Sequence, residues 1–257
     1  MTVRKVLRGA IGVAGFLLVA EAAGRLGLID PTILPLTSTV LGRTIGLAAD
    51  GDFLSEVGAT LLACFAGLLI AIVLAVPAGV ALGTLPKVER ATRPLLEFLR
   101  PIPSLALIPL ALFVFIPTHN AKIALIVYAC TWPLLINTMY GVRDVDPLAK
   151  ETLRSFGFGS LAVLWRVTMP STAPFIATGI RLAASVTLIV AVSVELVAGG
   201  EGIGAFLTHM STGAGNMDFV LAGTIWAGAI GLVANFLLTG AERRLFRWHQ
   251  ERVGGTS

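Results

Sequence analysis

The chain has 257 residues, of which 56% are hydrophobic and only 13% are charged. A soluble domain carries about 25% charged residues, so this composition excludes an ordinary soluble protein and indicates several membrane spans. The formal net charge of +4 does not indicate nucleic-acid binding, because the basic residues lie beside apolar segments and set membrane topology there.

Six apolar segments follow one another along the chain, and we interpret each as a transmembrane helix. A helix needs about 20 residues to cross the hydrocarbon core. The second segment exceeds this length without a charged residue, whereas the third and fourth are shorter and contain prolines. The segments cover residues 9–28, 57–85, 101–118, 121–140, 173–198 and 218–240. The sequence therefore predicts an all-α integral membrane fold with six transmembrane helices.

The first segment allows two interpretations. Residues 1–24 combine a basic start, an apolar stretch and an Ala-Glu-Ala sequence, which together resemble a cleavable signal peptide. We favour a retained span, because Glu21 is unusual beside a cleavage point and apolar residues resume after it. Residues 1–55 then form an N-terminal helix with an outer-face connector, which we expect to contain a short surface helix at 39–49. Residues 56–242 form the main transmembrane domain, and 243–257 form a cytoplasmic tail.

The basic residues predict the orientation, because loops on the cytoplasmic side carry an excess of Lys and Arg. They precede the first span, and they lie between the second and third, between the fourth and fifth, and after the sixth. These residues are Arg4, Lys5, Arg8, Lys87, Arg90, Arg93, Arg143, Lys150, Arg154, Arg166, Arg243, Arg244, Arg247 and Arg252. The opposite loops hold mainly Arg43 and Lys122 with several acidic residues. Both termini are therefore expected in the cytoplasm.

The polar loop at 141–172 carries its own helix signals. Asp146 is a good N-cap, and Pro147 suits the first helical position. A short helix is expected through Glu151, and Gly157 can end it in the left-handed conformation. A second short helix is expected between Ser160 and a stop at Pro170. The two rigid pieces are expected at about a right angle on the cytoplasmic face.

A rigid loop of this kind suits a protein that takes mechanical work from a partner. The chain has no G-x-x-x-x-G-K-[ST] sequence with which to hold a nucleotide. Active transport would therefore need a separate ATPase, and a short stiff helix can sit in a cleft of such a partner. Gly157 would permit close backbone approach, and Pro170 would prevent the helix from lengthening as it moves.

The loop resembles the EAA motif of ATP-binding cassette (ABC) importer permeases. That motif has Glu-Ala-Ala, then Gly six residues after the Glu, then Ile-x-Leu-Pro. The residues at the matching positions are Glu151, Gly157, Val167, Met169 and Pro170. The chain departs from the motif after the Glu, where Thr and Leu replace the two alanines.

Other segments are similar to the nitrate/sulfonate/taurine/bicarbonate-type branch of these permeases, and the likeness extends over residues 30–250. They are Arg-Pro-Ile-Pro at 100–103, the apolar run with Pro109, Trp132 with Pro133, Asn137, Gly-Ile-Arg-Leu-Ala at 179–183, Glu195 with Gly202, Ile203 and Gly204, and Glu-Arg-Arg-Leu at 242–245. The chain differs at 116–120, where relatives usually have a Phe-Gly-x-Gly turn.

The resemblance implies a type I importer permease with a coupling-helix loop, multi-pass in the bacterial cytoplasmic membrane. It implies a homodimer, two ATPase subunits that bind ATP and Mg, and a soluble or lipid-anchored substrate-binding protein. The chain itself is expected to bind no cofactor or metal and not to be an enzyme. The imported solute would be a small anion such as taurine, a sulfonate or nitrate, or else an aromatic acid or a vitamin precursor.

The local residue signals and the resemblance together indicate two groups of candidate residues. For ATPase coupling they are Asp146, Pro147, Glu151, Arg154, Gly157, Val167, Met169 and Pro170. For the solute pathway or its gate they are Pro109, Trp132, Asn137, Ser193 and Glu195.

Two other functions stay open at this point. An ion-coupled secondary transporter would need acidic groups at membrane depth, and Glu195, Glu21 and Glu97 come nearest. A membrane assembly protein without transport would tolerate changes at Glu151 or Gly157. The two cysteines, Cys64 and Cys130, lie in apolar runs and are expected to be free, buried thiols.

Overall fold

The computed structural model describes residues 3–30, 32–212 and 216–245, and these form helices and connecting turns without a strand. The helices are α1 (Val3–Arg25), α2 (Thr37–Leu47), α3 (Gly51–Thr84), α4 (Pro86–Leu99), α5 (Ile108–Val114), α6 (Thr118–Arg143), α7 (Pro147–Ser155), α8 (Ser160–Val163), α9 (Met169–Ala198), α10 (Ile203–Ser211) and α11 (Met217–Leu245). A 3-10 turn at Ser104–Leu107 precedes α5, and a π-helical turn at Leu164–Thr168 joins α8 to α9.

Five helical stretches in the described residues are long and apolar enough to cross a membrane. They are Leu7–Arg25, Gly51–Thr84, Thr118–Arg143, Ser160–Ala198 and Met217–Glu242. A sixth span is present if the bent pair Pro86–Leu99 and Ser104–Val114 counts as one crossing. The predicted all-α membrane architecture is therefore confirmed, and the connector helix expected at 39–49 is present as α2.

The third span differs from its prediction as one helix over 101–118. The chain enters as α4, bends by 77°, and continues through the 3-10 turn into α5. Pro101 and Pro103 lie in the break and lack the N–H groups that a continuous helix would use. The sequence reading missed α4, because its charged residues placed it in a loop although its apolar residues recur with helical spacing.

The centre of the bundle is α6, which packs along α3 on one side and α9 on the other. Small residues of α3 recur every four positions along the line facing α6: Ala63, Gly67, Ala71, Ala75, Gly79 and Gly83. A Cβ added at Gly79 would lie 2.7 Å from Cβ of Thr138 and 2.9 Å from the carbonyl oxygen of Leu135. The absence of a side chain therefore permits the close approach of the two helices.

The prediction that Pro170 stops a short helix is wrong. The helical run is continuous from Ser160 to Ala198, and Pro170 is the second residue of α9. The π-helical turn precedes it, and there the N–H of Met169 donates to the carbonyl oxygen of Leu164. Because this turn already departs from the i to i−4 pattern, a residue without an N–H can follow without ending the helix.

A second apolar cluster lies at the opposite end of the bundle from α7. Leu47, Phe53, Val57, Ile203, Leu207 and Ala222 are buried there, against Phe206, Phe219 and Trp226 among others. Phe53 stands edge-on to Phe206 at 4.9 Å and to Trp226 at 5.7 Å, measured between ring centroids. The indole N–H of Trp226 donates to the carbonyl oxygen of Thr44 at 2.9 Å. This cluster joins α2 and α10 to the starts of α3 and α11.

Candidate functional site

The loop between α6 and α9 is built as the local sequence signals predict at both ends of α7. The carboxylate of Asp146 accepts a hydrogen bond from the N–H of Leu148 at 2.8 Å, and Pro147 is the first helical residue. Gly157 has φ of +82°. Its N–H donates to the carbonyl oxygen of Arg154 at 2.9 Å, and the following N–H, of Phe158, donates to that of Leu153 at 3.1 Å. This pair of bonds is a Schellman motif, which ends the helix in one defined direction.

No residue of α7 is buried, and large apolar side chains stand out around it. We call Leu148, Phe156, Leu161 and Trp165 the coupling surface; each of these side chains is more than half exposed, with Phe156 at 77%. Glu151 and Arg154 are exposed beside them. Apolar groups gathered on a polar loop mark a contact site for another molecule.

Contacts behind the coupling surface hold the loop against the bundle. The ammonium group of Lys150 donates to the carbonyl oxygen of Val142 in α6 at 3.3 Å. Burial, and secondarily the charge of Arg154, lower the pKa of Lys150 from its ordinary value. The guanidinium of Arg166 lies 4.6 Å from the ring centroid of Phe158 and so ties the end of the α7 turn to the helical run that becomes α9.

The eight residues nominated for coupling fall into two groups in the structure. Asp146, Pro147, Glu151, Arg154 and Gly157 belong to α7 and its caps. Val167 lies in the π-helical turn, while Met169 and Pro170 begin α9. The second group therefore lies in the helical run that enters the bundle rather than in a separate docking helix.

At the opposite end of the bundle, Glu195 of α9 forms a buried ion pair with Lys122 of α6. Their side chains are 1% and 4% exposed, and Nζ of Lys122 lies 2.8 Å from Oε1 of Glu195. The hydroxyl of Thr60, from α3, lies 3.0 Å and 3.1 Å from the two carboxylate oxygens. Side chains of three helices, α3, α6 and α9, thus meet at this carboxylate.

The same carboxylate receives the N-terminus of α10. The N–H of Gly204 donates to Oε2 of Glu195 at 3.0 Å, and the N–H of Ile203 donates to the hydroxyl of Thr60 at 2.9 Å. The N–H of Gly202 donates to the carboxylate of Glu56, and Nζ of Lys122 donates to the carbonyl oxygen of Glu201 at 3.0 Å. The positive end of the helix dipole favours these acidic partners. Glu195 therefore lies in a packed polar contact in this structure.

The other pathway nominees do not meet at one place. Asn137 donates to the carbonyl oxygen of Pro133 within α6 at 2.8 Å. Pro109 begins α5 and is exposed, and Ser193 is half-buried on α9. Trp132 lines a cavity between α4 and α6, and its buried Nε1 has no hydrogen-bond partner among the described residues.

The cavity has a volume of about 230 Å³ and is open to one side. Its ionisable side chains are Glu89, Arg93, Glu97, Arg100 and Arg143. Glu89 is shared: Oε1 lies 2.9 Å from a guanidinium nitrogen of Arg93, and Oε2 lies 3.4 Å from one of Arg143. Sequence reasoning assigned the arginines to topology alone, although the helical spacing of residues 89, 93, 97 and 100 could have placed them on one face.

The family described as "Binding-protein-dependent transport system inner membrane component" matches residues 67–247. The taurine transport system permease protein TauC of Escherichia coli (strain K12) is 31% identical over 231 residues, which are 88% of this chain and 84% of TauC. The nitrate import permease protein NrtB of Leptolyngbya laminosa is 29% identical over 193 residues, 75% of this chain and 69% of NrtB.

Among solved structures, the MetNI methionine ABC transporter in inward-facing conformations contains a chain of similar fold. The TM-score is 0.61 at 18% identity, and the match covers 75% of this chain and 93% of that chain. The family match includes the central membrane helices, the α4–α6 cavity and the α7 loop together. The chain therefore belongs to the binding-protein-dependent permeases of ABC importers, in the branch that contains the taurine, nitrate, sulfonate and bicarbonate permeases.

Proposed function

We propose that this chain imports a small anion across the bacterial cytoplasmic membrane by alternating access, as one half of a homodimer driven by two ATPase subunits. A substrate-binding protein delivers the solute to the outer face. The observation that carries the proposal is the exposed α7 with its coupling surface, because the helix is rigid at both ends and its apolar side chains have no partner helix in the described chain.

The orientation in this proposal puts the coupling surface in the cytoplasm. The end of the bundle with α7 also carries Lys87, Arg90, Arg143 and Arg166, in agreement with the positive-inside rule. In this orientation α1 begins and α11 ends on the cytoplasmic side, and α2 and α10 lie on the outer side. ATPase subunits are cytoplasmic, so the coupling surface then faces the compartment in which its partner and ATP are found.

The contacts behind the coupling surface explain how force would reach the membrane. Lys150 ties α7 to the end of α6, and the Phe158–Arg166 contact ties it to the helical run of α9. When ATP binding closes the two ATPase subunits, each α7 moves with its cleft. Because α6 and α9 pack along each other through the centre of the bundle, this displacement moves both helices. The pathway then closes on one side of the membrane and opens on the other.

The solute class comes from the relatives together with the chain's own charges. The printed names of the relatives refer to taurine, nitrate, aliphatic sulfonates and bicarbonate, each of which carries an anionic group. The α4–α6 cavity of this chain contains three arginines and two glutamates, which leaves one excess positive charge. A small anion suits both observations.

An ion-coupled secondary transporter has less support. It needs an acidic group that can exchange its ion, and Glu195 is already neutralised by Lys122 and surrounded by donors. Glu21 is bonded to Arg25 and Ser38 near the start of the connector. The two functions separate in proteoliposomes, where the secondary transporter would accumulate solute without ATP.

A crosslink tests the proposed docking. A cysteine in place of Glu151, carrying a photoactivatable maleimide, should capture the ATPase subunit when the two are co-expressed. The matched control is Thr39→Cys, an exposed position in α2 at the opposite end of the bundle, which should capture no ATPase. The native Cys64 and Cys130 are buried and can stay in place. Labelling of Glu151→Cys from outside the cell, or labelling without capture of the ATPase, would contradict the proposal.

A further inference from the structure

Arg100 follows the last residue of α4, and its side chain is exposed in the described chain. The hydroxyl of Tyr128, in α6, donates to the carbonyl oxygen of Leu99 at 2.8 Å. At 1.5 Å per residue, the part of α6 between Tyr128 and Arg143 is about 22 Å long. The hydrocarbon core of a bilayer is about 30 Å thick, so α4 reaches well beyond the interface before it ends at Arg100.

The acidic residue nearest to Arg100 along α4 is Glu97, one turn earlier, and the two side chains form no ion pair in the described chain. Arg93 and Arg143 share Glu89 nearer the α7 end of the bundle, whereas Arg100 forms no ion pair with any described residue. A charged side chain at membrane depth is costly unless it faces water or a polar partner. The cavity beside α4 supplies that environment, because Arg100 lines it and it is open to one side.

The wall of the cavity includes a second donor without an acceptor. Nε1 of Trp132 is buried and has no hydrogen-bond partner in the described chain, and Trp132 and Arg100 line the same space. A buried indole N–H normally finds an acceptor. The volume of about 230 Å³ is far larger than the ~10–15 Å³ that one water needs, so a small solute fits with some of its water.

We propose that Arg100 and Trp132 form an anion subsite in this cavity, on the route by which the solute leaves toward the cytoplasm. The guanidinium offers two parallel N–H donors to two oxygens of a carboxylate, sulfonate or nitrate, and the ring of Trp132 forms part of the wall around them. Glu97, in the same cavity, disfavours a second anion and so limits occupancy to one. This inference rests on the proposed function for the identity of the solute, and it names the residues that would select its charge.

Quenching of Trp132 fluorescence tests the subsite without knowledge of the solute. The full-length chain, with Trp165, Trp226 and Trp248 replaced by Phe, is studied in zwitterionic lipid nanodiscs. Iodide is the anionic probe and acrylamide the uncharged one, at constant ionic strength. Loss of a unit charge about 6 Å away in a water-like dielectric lowers the local anion concentration about threefold. Arg100→Gln should therefore lower the iodide quenching constant about threefold and leave the acrylamide constant unchanged.

Two variants decide between a charge effect and a structural one. Arg100→Lys keeps the charge and should keep most of the iodide quenching. Arg90→Gln removes a charge from the same helix, where the side chain bonds to the carbonyl oxygen of Pro86 outside the cavity, and should change neither constant. The inference is overturned if Arg100→Gln and Arg90→Gln behave alike. It is also overturned if Arg100→Lys loses iodide quenching as fully as Arg100→Gln.

Uptake measurements separate this inference from the proposed function. In proteoliposomes with the ATPase and the binding protein, Arg100→Gln should raise KM for the imported anion several-fold, whereas Arg100→Lys should restore it. If anion uptake and iodide quenching both persist in Arg100→Gln, the subsite is wrong and the importer stands. If the complex imports no anion while iodide quenching still depends on Arg100, the proposed function fails and the anion site stands.

Discussion

The ion pair between Lys122 and Glu195 should be a major contributor to stability that depends on both partners being present. Lys122→Met leaves the carboxylate buried, with the Thr60 hydroxyl and the N–H of Gly204 as its remaining donors. Glu195→Gln leaves the ammonium group of Lys122 with neutral acceptors alone, the carbonyl oxygen of Glu201 and the new amide oxygen. Each single change therefore leaves a buried charge without its counter-charge.

Removal of one partner from a buried ion pair costs about 3–5 kcal/mol. The remaining hydrogen bonds around Glu195 put Lys122→Met near the lower end of this range. The double variant Lys122→Met with Glu195→Gln leaves no buried charge, and the amide can still accept from Gly204. We expect it to lie within about 1 kcal/mol of the native chain, because replacing both partners together is often near neutral. The coupling between the two changes is then about 5 kcal/mol or more.

Thermal unfolding in detergent, followed by loss of the monodisperse peak on size exclusion, measures these differences. For a chain of this size 1 kcal/mol corresponds to about 2–4 °C in Tm, so each single variant should lose about 6–20 °C and the double variant should recover most of it. Lys87→Met, a change at an exposed lysine in α4, is the matched control and should shift Tm by less than about 2 °C. Additive losses in the double variant, or single variants as stable as the native chain, would refute the reasoning.

Two further changes probe α7 and the packing of α3. Gly157→Val should uncouple ATP hydrolysis from uptake in proteoliposomes and leave membrane insertion normal, because φ of +82° costs an ordinary residue about 1–2 kcal/mol while nothing lies within 4 Å of the added Cβ. Gly157→Asn, which tolerates this conformation, should retain coupling. Equal loss of coupling in both variants would contradict the Schellman geometry as the cause. Gly79→Ala should lower the free energy of unfolding by about 1–3 kcal/mol, because its Cβ would lie 2.7 Å from Thr138. The control is Gly58→Ala on the same helix, where nothing lies within 4 Å of the added Cβ. Equal Tm shifts in the two variants would show that the close contact with α6 does not cause the loss of stability.

The ends of α7 were predictable because they depend on neighbouring residues. Asp146 caps within its own turn, Pro147 needs no N–H at the first helical position, and Gly157 adopts the conformation in which its missing Cβ is an advantage. Pro170 misled the same reasoning. A proline ends a helix only where the preceding turns follow the α pattern, and the π-helical turn before Pro170 does not appear in any short sequence signal.

The bent third span shows a related limit. A search for apolar runs finds 101–118 but passes over α4, whose charged face turns toward the cavity while other residues stay apolar. Whether the arginines of α4 serve topology or line a cavity depends on the position of α6 beside them. The pattern of charges along the sequence is the same whether the arginines serve topology or line a cavity.

By itself the sequence determined the membrane class, the approximate places of five spans, the ends of α7 and the family resemblance, since these follow from composition, local hydrogen bonding and short motifs. It also singled out Glu195 and the glycines after it. Only the tertiary structure decided that Lys122 neutralises Glu195, that α10 points its N-terminus at this pair, and that Arg100 and Trp132 share one cavity. The partners come from helices far apart in the chain, and such contacts depend on helix packing rather than on any local pattern of residues.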